Sequence, residues 1–323
     1  INLNFHTKMN KVNIIAECCQ NHNGDKEILK KMIHKAAENG ADFVKIQAIR
    51  SKDLSFRERF EKGDFDENGN ISVIKRPYKQ ELDRLAKLDL SLEEEIWFVN
   101  ECKIAGVKPM TTVFNRTSVN EIKNMGYDAI KIASYDCASI PLLKDVKNNR
   151  NKIFVSTGAT FDDEIKNAVD VLDGSDFELL HCVTIYPTPL NELHLNRIKF
   201  LNKFCNKVGY SDHSKPSTTG LWASKIALAM GASNIERHYT ILEEHETKDG
   251  PVSITPSMVK ELREFADFDN LKQWEIIKKD FTDWEITMGN ANRELSHNEL
   301  LNRDYYRGRF GNKLKGSIKY NWE

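Results

Sequence analysis

Apolar residues along the chain fall into short runs. Each run closes on a polar residue and is followed by a longer stretch with apolar positions at helical spacing. The first run, Val12-Asn13-Ile14-Ile15-Ala16, predicts a strand that ends in Glu17. Asn21-His22-Asn23-Gly24 turns the chain, and Asp25 predicts the cap of a helix reaching about Asn39, where Gly40 stops it. Ala41 to Gln47 reads as a second strand with Lys45 and Gln47 on one face at period two. The same alternation continues through strands at Val107 to Thr112, Asp128 to Ala133, Lys152 to Thr157, Phe177 to Val183, Lys207 to Ser211 and Ser233 to Glu236. Between them the pattern predicts a helix opened by the capping box Ser91-Leu92-Glu93-Glu94 and one capped at Ser118. Further helices are predicted from Ile140 to Val146, Asp162 to Leu172, Leu195 to Phe204, Thr219 to Ala229 and Thr255 to Phe265.

Eight strand–helix alternations with nearly all-apolar strands predict an α/β fold of the (β/α)8 TIM-barrel type. No GxGxxG follows the first strand, which argues against a dinucleotide-binding sheet. One interruption stands out. Ala48 to Lys79 is polar and too long for an ordinary connection, and is read as a lid or binding loop. The barrel is assigned to residues 1–268. Residues 269–323, charged and aromatic, are assigned to a terminal helix and an extended tail.

Composition narrows the function classes. The 323 residues are 40% apolar, and Lys+Arg 47 against Asp+Glu 48 leaves a net charge of −1. No basic arm or patch recruits nucleic acid. No apolar run has the ~18 residues of a membrane span, so no membrane partner is expected. Ile1 to Lys11 is polar and lacks a signal-peptide core. The cysteines (Cys18, Cys19, Cys102, Cys137, Cys182, Cys205) show no CxxC spacing and are read as reduced thiols of a cytoplasmic protein, Cys18 as structural.

A barrel of this kind carries its chemistry at the carboxyl ends of its strands. His213 and His238 fall at the exits of neighbouring units, 25 residues apart, where two imidazoles can share a divalent metal; the alternative is two ordinary half-buried histidines. Lys45 and Lys131 lie inside strands, where an ammonium is costly unless paired with an anion. Glu17 and Glu236 could neutralise them. With Thr112, Ser134 and Ser156, however, the lysines make a donor-rich set suited to a phosphate or carboxylate. A metal beside such a set would act as a Lewis acid. Together they point to an enzyme acting on a small phosphorylated or acidic substrate.

Seven stretches carry a resemblance. They are Ile15-Ala16-Glu17 with Asn21-His22-Asn23-Gly24, Val44-Lys45-Ile46-Gln47, Ile130-Lys131-Ile132-Ala133-Ser134, Val155-Ser156-Thr157-Gly158, Leu180-His181-Cys182 with Tyr186-Pro187-Thr188-Pro189, Gly209-Tyr210-Ser211-Asp212-His213, and Ile235-Glu236-Arg237-His238-Tyr239-Thr240. In this order they resemble the sialic acid synthase family from about Val12 to Ser257. The family condenses phosphoenolpyruvate with an N-acetylmannosamine-type sugar to give a nonulosonic acid and phosphate. The resemblance implies a metal held by His213 and His238, Mn2+ first, with Mg2+ or Co2+ as alternatives. It implies phosphoenolpyruvate contacts at Lys45, Thr112, Lys131, Ser134, Ser156 and Ser211, and places Glu17, Gln47, Tyr186 and Glu236 around the sugar and the reacting carbons. It implies a homodimer that binds small molecules, phosphoenolpyruvate and an N-acyl amino sugar.

The sequence departs from that family in two places. Thr184 stands where the family has Asn or Ser, and Val252 where it has Asp after Gly-Pro; Thr184 and Asp249 are the substrate-binding candidates there. The family also continues into a small antifreeze-like domain that lends an arginine to the partner's sugar site. Here the chain ends at Glu323, and Arg307 and Arg309 are the candidates for that role. Two competing expectations are a homologue that binds a sugar or anion without turnover, and another metal-dependent enzyme that joins phosphoenolpyruvate to a phosphorylated aldose.

Overall fold

The computed structural model describes residues 11–314 and 317–323. Residues 1–10, and with them nearly all of the amino-terminal segment read above as lacking a signal core, lie outside the described residues. Eight parallel strands close into a barrel: β1 Asn13–Cys19, β2 Phe43–Ala48, β3 Lys108–Val113, β4 Ala129–Ile132, β5 Lys152–Ser156, β6 Phe177–Cys182, β7 Val208–Asp212 and β8 Asn234–His238. Each strand pairs with the next in sequence, and β8 closes on β1 with Glu17 opposite His238.

The strands alternate faces, and this sorts the core into two parts. Outward residues such as Ile14, Ala16, Val44, Ile46 and Ile132 pack under the helices in one large cluster. Inward residues Ile15, Phe43, Met110, Ala129, Phe154 and Leu180 form a separate apolar plug inside the barrel. Two residues further along the same strands, the inward positions are Glu17, Lys45, Thr112, Lys131, Ser156 and Cys182. One strand face is therefore apolar at its amino half and polar at its carboxyl half. The plug excludes water below, and the polar layer opens on the mouth.

Side-chain caps start several helices. Asp25 accepts from the amides of Glu27 and Ile28 ahead of the helix Lys26–Glu38. Ser91 and Glu94 form the expected capping box of the helix Leu92–Ala105. Two expectations fail. The cap of the helix Arg116–Ile122 is Asn115, whose side chain accepts from the Ser118 amide; Ser118 lies inside the helix. The helix expected over Thr219 to Ala229 breaks at Gly220, whose φ of 57° a side chain resists, into Pro216–Thr219 and Trp222–Ala229.

The expected lid is not structureless. It holds a turn at Ser51–Asp53, a short helix Arg59–Lys62 and a hairpin of Asp64–Phe65 with Ile71–Val73. These are tied to the carboxyl-terminal segment. The Ser55 amide donates to the Arg309 carbonyl at 2.9 Å, the Gly311 amide to the Asp53 carbonyl at 3.0 Å, and Arg57 to the Tyr305 carbonyl at 2.6 Å. Such long-range backbone pairing is invisible to a local pattern. No helix among the described residues is long and apolar enough to cross a membrane.

Candidate active site

A cavity of about 380 Å³ opens at the carboxyl ends of the strands. That is within the range of small-molecule sites. Of the sequence candidates it is lined by Glu17, Lys45, Gln47, Thr112, Lys131, Ser134, Ser156, Tyr186, Ser211, His213, Glu236, His238 and Asp249. Thr184 is the exception. It is fully buried behind the wall, and a side-chain carbon built on Gly158 would come within 2.7 Å of its methyl group. Close packing against a glycine at that position draws Thr184 out of the lining.

The floor is a charge network. Lys45 Nζ lies 2.5 Å from Glu17 Oε2, 3.5 Å from Glu236 Oε2 and donates to Thr112 Oγ1 at 2.9 Å. Lys131 Nζ lies 2.5 Å from Glu236 Oε1, which also accepts from Ser211 Oγ at 2.8 Å. Gln47 donates to Glu17 Oε1 at 2.8 Å. The pairing of both lysines with carboxylates therefore occurs, yet all four groups still face the cavity. Burial opposes the Glu236 charge, but Lys131 and Lys45 together hold its carboxyl far below the usual range. Burial also works against Lys45, and Glu17 and Glu236 outweigh it to hold Lys45 above the ordinary lysine value. Ser156 Oγ is buried without a hydrogen-bond partner among the described residues, a free donor beside the lysines. Ser134 Oγ accepts from the Gly158 amide at 3.1 Å.

His213 and His238 stand side by side, ring centroids 5.3 Å apart at 64°, with the Tyr186 ring 4.2 Å from that of His213. His213 Nδ1 is 3.0 Å from the Val183 carbonyl, which leaves Nε2 as the free nitrogen. Burial first, and then His238, lowers His213 to about 3, so its ring is neutral at physiological pH, the form a metal requires. His238 Nδ1 is buried without a hydrogen-bond partner among the described residues and lies 3.9 Å from Asp249 Oδ2. Ligand atoms of Cys19, His238 and Asp249 lie within 4.8 Å of one another, so this trio could hold a metal ion. The donor set of orphaned imidazole, carboxylate and sulfur fits a divalent cation. Cys182 is the cysteine that lines the cavity, and Cys19, not Cys18, is the one beside His238 and Asp249. A bulge after Glu17 places Cys19, at φ 39°, opposite Ile46, a departure from period two that the sequence does not signal; Cys18 packs outward in the helix-facing core.

Behind the histidines, β7 and β8 are locked together. Asp212 and Arg237, opposite each other in register and both fully buried, pair at 2.5 Å. Arg237 also donates to Ser214 Oγ and to the Ser214 carbonyl at 3.0 Å each. Replacing Arg237 by Met would strand the Asp212 charge, and a loss of about 3–5 kcal/mol in urea unfolding is expected.

Other lining residues come from segments without strand periodicity: Gln20, Arg76, Arg84, Tyr135, Asp136, Lys248, Asn302, Tyr306, Arg309 and Phe310. Arg309 reaches the cavity and ion-pairs with Glu81, whereas Arg307 does not line it. Lys248 is lowered to about 8, first by burial and then by the cations Arg84, Arg309 and Arg76, with Glu81 opposing. Burial raises Asp136 to about 6, against hydrogen bonds from Asn321 and Ser139. A carboxyl that binds its proton more tightly folded than unfolded contributes stability at low pH, and that contribution is lost as pH rises from about 4 through about 6. Asp136→Asn is therefore expected to remain as stable at pH 8 as at pH 5, and to gain about 2–3 kcal/mol over the parent at pH 8 in urea unfolding.

The chain is similar to known proteins along most of its length. A model of the NeuB family matches residues 32–272. The N,N'-diacetyllegionaminic acid synthase of Campylobacter jejuni is 34% identical over 268 residues, 79% of this chain and 75% of that protein. A pseudaminic acid synthase of Campylobacter jejuni is 28% identical over 98% of this chain and 86% of its own. The solved N-acetylneuraminic acid (sialic acid) synthetase of Leptospira borgpetersenii, in complex with citrate, superposes with a TM-score of 0.69 at 28% identity, covering 93% of each chain.

Proposed function

This chain belongs to the NeuB family, and from that premise we propose that it condenses phosphoenolpyruvate with an open-chain N-acyl amino sugar to give a nonulosonic acid and phosphate. The observation that carries the reading is the floor of the cavity. Two buried lysines, a free serine hydroxyl and two carboxylates converge beside a pair of imidazoles. A buried pair of lysines with spare donors suits the carboxylate and phosphate of phosphoenolpyruvate.

The residues divide the work. Lys45, Lys131, Thr112, Ser134, Ser156 and Ser211 hold the anionic ends of phosphoenolpyruvate. Glu236, bridging both lysines and Ser211, keeps them charged and placed. His213 and His238, with Asp249 and Cys19 at hand, would hold a divalent metal, Mn2+ first. When bound, the metal polarises the aldehyde oxygen of the sugar. Carbon 3 of phosphoenolpyruvate forms the new bond to the aldehyde carbon, and the aldehyde oxygen takes up a proton. Water adds at the cationic carbon 2, and the carbon–oxygen bond to phosphate breaks. Glu17, set between Lys45 and His238 in register, takes the water's proton, while Gln47 orients it. Tyr186 closes the sugar side over His213.

The test is phosphate release from phosphoenolpyruvate with a panel of N-acyl sugars and Mn2+, with products read by mass spectrometry. Release is expected only when phosphoenolpyruvate, sugar and metal are all present. Product-free incubation across N-acetylmannosamine and its bacillosamine- and legionaminic-type relatives would leave a binding homologue as the better account.

A further inference from the structure

We propose that Cys19 is a ligand of the metal at this site, adding a thiolate to His238 and Asp249, and that this sulfur selects the ion. Zn2+ and Co2+, which bind sulfur, are held more tightly than Mn2+, beyond the ordinary lead they have at nitrogen and oxygen sites. The inference rests on the synthase reading, with its divalent metal, and adds the residue that sets which ion is retained.

The surroundings of Cys19 set it apart from an inert buried thiol. Four of the six cysteines, Cys18, Cys102, Cys137 and Cys205, lie in the apolar core beneath the helices. Cys19 is buried as deeply, at 1% exposure, yet belongs to none of the apolar clusters among the described residues. Its sulfur, a ring nitrogen of His238 and a carboxylate oxygen of Asp249 lie within 4.8 Å of one another. Its φ of 39° is a conformation that glycine adopts freely and a side chain resists. Backbone geometry and apolar packing therefore give no reason for a thiol here, whereas a ligand role does.

The three donors come from separate segments that are pinned together. β1 and β8 bring Glu17 opposite His238, and the Tyr239 amide donates to the Glu17 carbonyl at 2.8 Å. The chain then bulges at Cys19. Asn21, buried at 1% exposure, donates to the Tyr239 carbonyl at 2.9 Å and to Ser253 Oγ at 3.0 Å. Ser253 Oγ in turn donates to the Asp249 carbonyl at 2.7 Å. The loop that carries Asp249 is thus tied to the segment that carries Cys19, with His238 between them.

Bonds of about 2.0–2.3 Å to sulfur, nitrogen and oxygen place ligand atoms at most roughly 4.6 Å apart around one ion. The trio already stands close to that spacing, and His213, its ring centroid 5.3 Å from that of His238, is the neighbouring donor. On binding, the thiol S–H bond gives way to a sulfur–metal bond and the proton leaves to solvent. Carboxylate and water suit Mn2+, whereas a thiolate strengthens the hold on Zn2+ or Co2+.

The experiment titrates the full chain, freed of metal by a chelator, with Co2+ and separately with Mn2+. Co2+ is expected to give a near-ultraviolet sulfur-to-cobalt charge-transfer band. Cys19→Ser should lose the band and weaken Co2+ binding by at least the ~10- to 100-fold that even an outer partner of a metal ligand contributes. Mn2+ affinity, read by electron paramagnetic resonance, should change far less. Cys19→Gly, which suits the left-handed backbone, should lose the band in the same way and guards against misfolding of the serine variant. Cys182, whose sulfur lies 3.8 Å from His213 Nδ1, is the control: Cys182→Ser should keep the band. Bound Co2+ without the band overturns the inference, as does a band that disappears with Cys182 instead of Cys19. An equal loss of Co2+ and Mn2+ affinity in Cys19→Ser also overturns it, since that marks a structural thiol. Each of these leaves the synthase reading intact if the parent releases phosphate with phosphoenolpyruvate, sugar and metal. A parent protein that binds neither ion and releases no phosphate defeats both.

Discussion

Alanine in place of His213 is expected to abolish Mn2+ binding and to lower turnover on the order of a thousandfold. The ring is buried, neutral and fixed through Nδ1 by the Val183 carbonyl, so its remaining nitrogen is presented without rearrangement. A group that stabilises charge developing on the aldehyde oxygen contributes several kcal/mol, and each ~1.4 kcal/mol is a factor of ten in rate. Packing around the site should survive, with a stability loss of only about 1–2 kcal/mol. Electron paramagnetic resonance of free Mn2+ reads the binding, and initial rates of phosphate release read the turnover. Metal affinity equal to that of the parent protein would remove the imidazole pair from the mechanism and leave Cys19, His238 and Asp249 as the sole ligand group.

The second large effect is expected at Lys131. Its ammonium lies 2.5 Å from Glu236, and without it that buried carboxylate keeps only the 3.5 Å contact to Lys45 and the Ser211 hydroxyl. Lys131→Met should therefore cost about 3 kcal/mol in urea unfolding, the low end for an opened buried pair. It should also cost about 10²- to 10³-fold in kcat, typical of a lost electrostatic donor. The double variant Lys131→Met with Glu236→Gln separates the two roles. Removing both charges should recover most of the stability while activity stays low. If activity returned along with stability, Lys131 would be only the counter-ion of Glu236, and the anion of the substrate would bind elsewhere.

The polar layer was legible before any coordinates because a strand faces one way at every second residue. Once the eight strands are recognised, Glu17, Lys45, Thr112, Lys131 and Ser156 must share the inner face of one barrel, and His213 and His238 must leave neighbouring strands at the same end. Thr184 shows the limit of that reasoning. It follows β6 in the chain by two residues, but lies behind the wall because its methyl group fills the space beside Gly158. Side-chain direction after a strand ends is set by packing, and no period describes it.

From the sequence alone came the strand count, the barrel, the carboxyl-end location of the chemistry and the identities of the floor residues, because each depends on periodicity within a single segment. Tertiary structure alone decided the rest. It brought Cys19 and Asp249 to His238, made Glu236 the bridge between two lysines, and assembled Arg76, Arg84, Lys248 and Arg309 at one mouth. The groups at the mouth come from a loop, from the helix Tyr78–Ala86 and its flank, and from a carboxyl-terminal segment hydrogen-bonded to the excursion after β2, residues more than two hundred positions apart. Contacts of that span follow from how the closed chain packs, and local patterns carry no record of them.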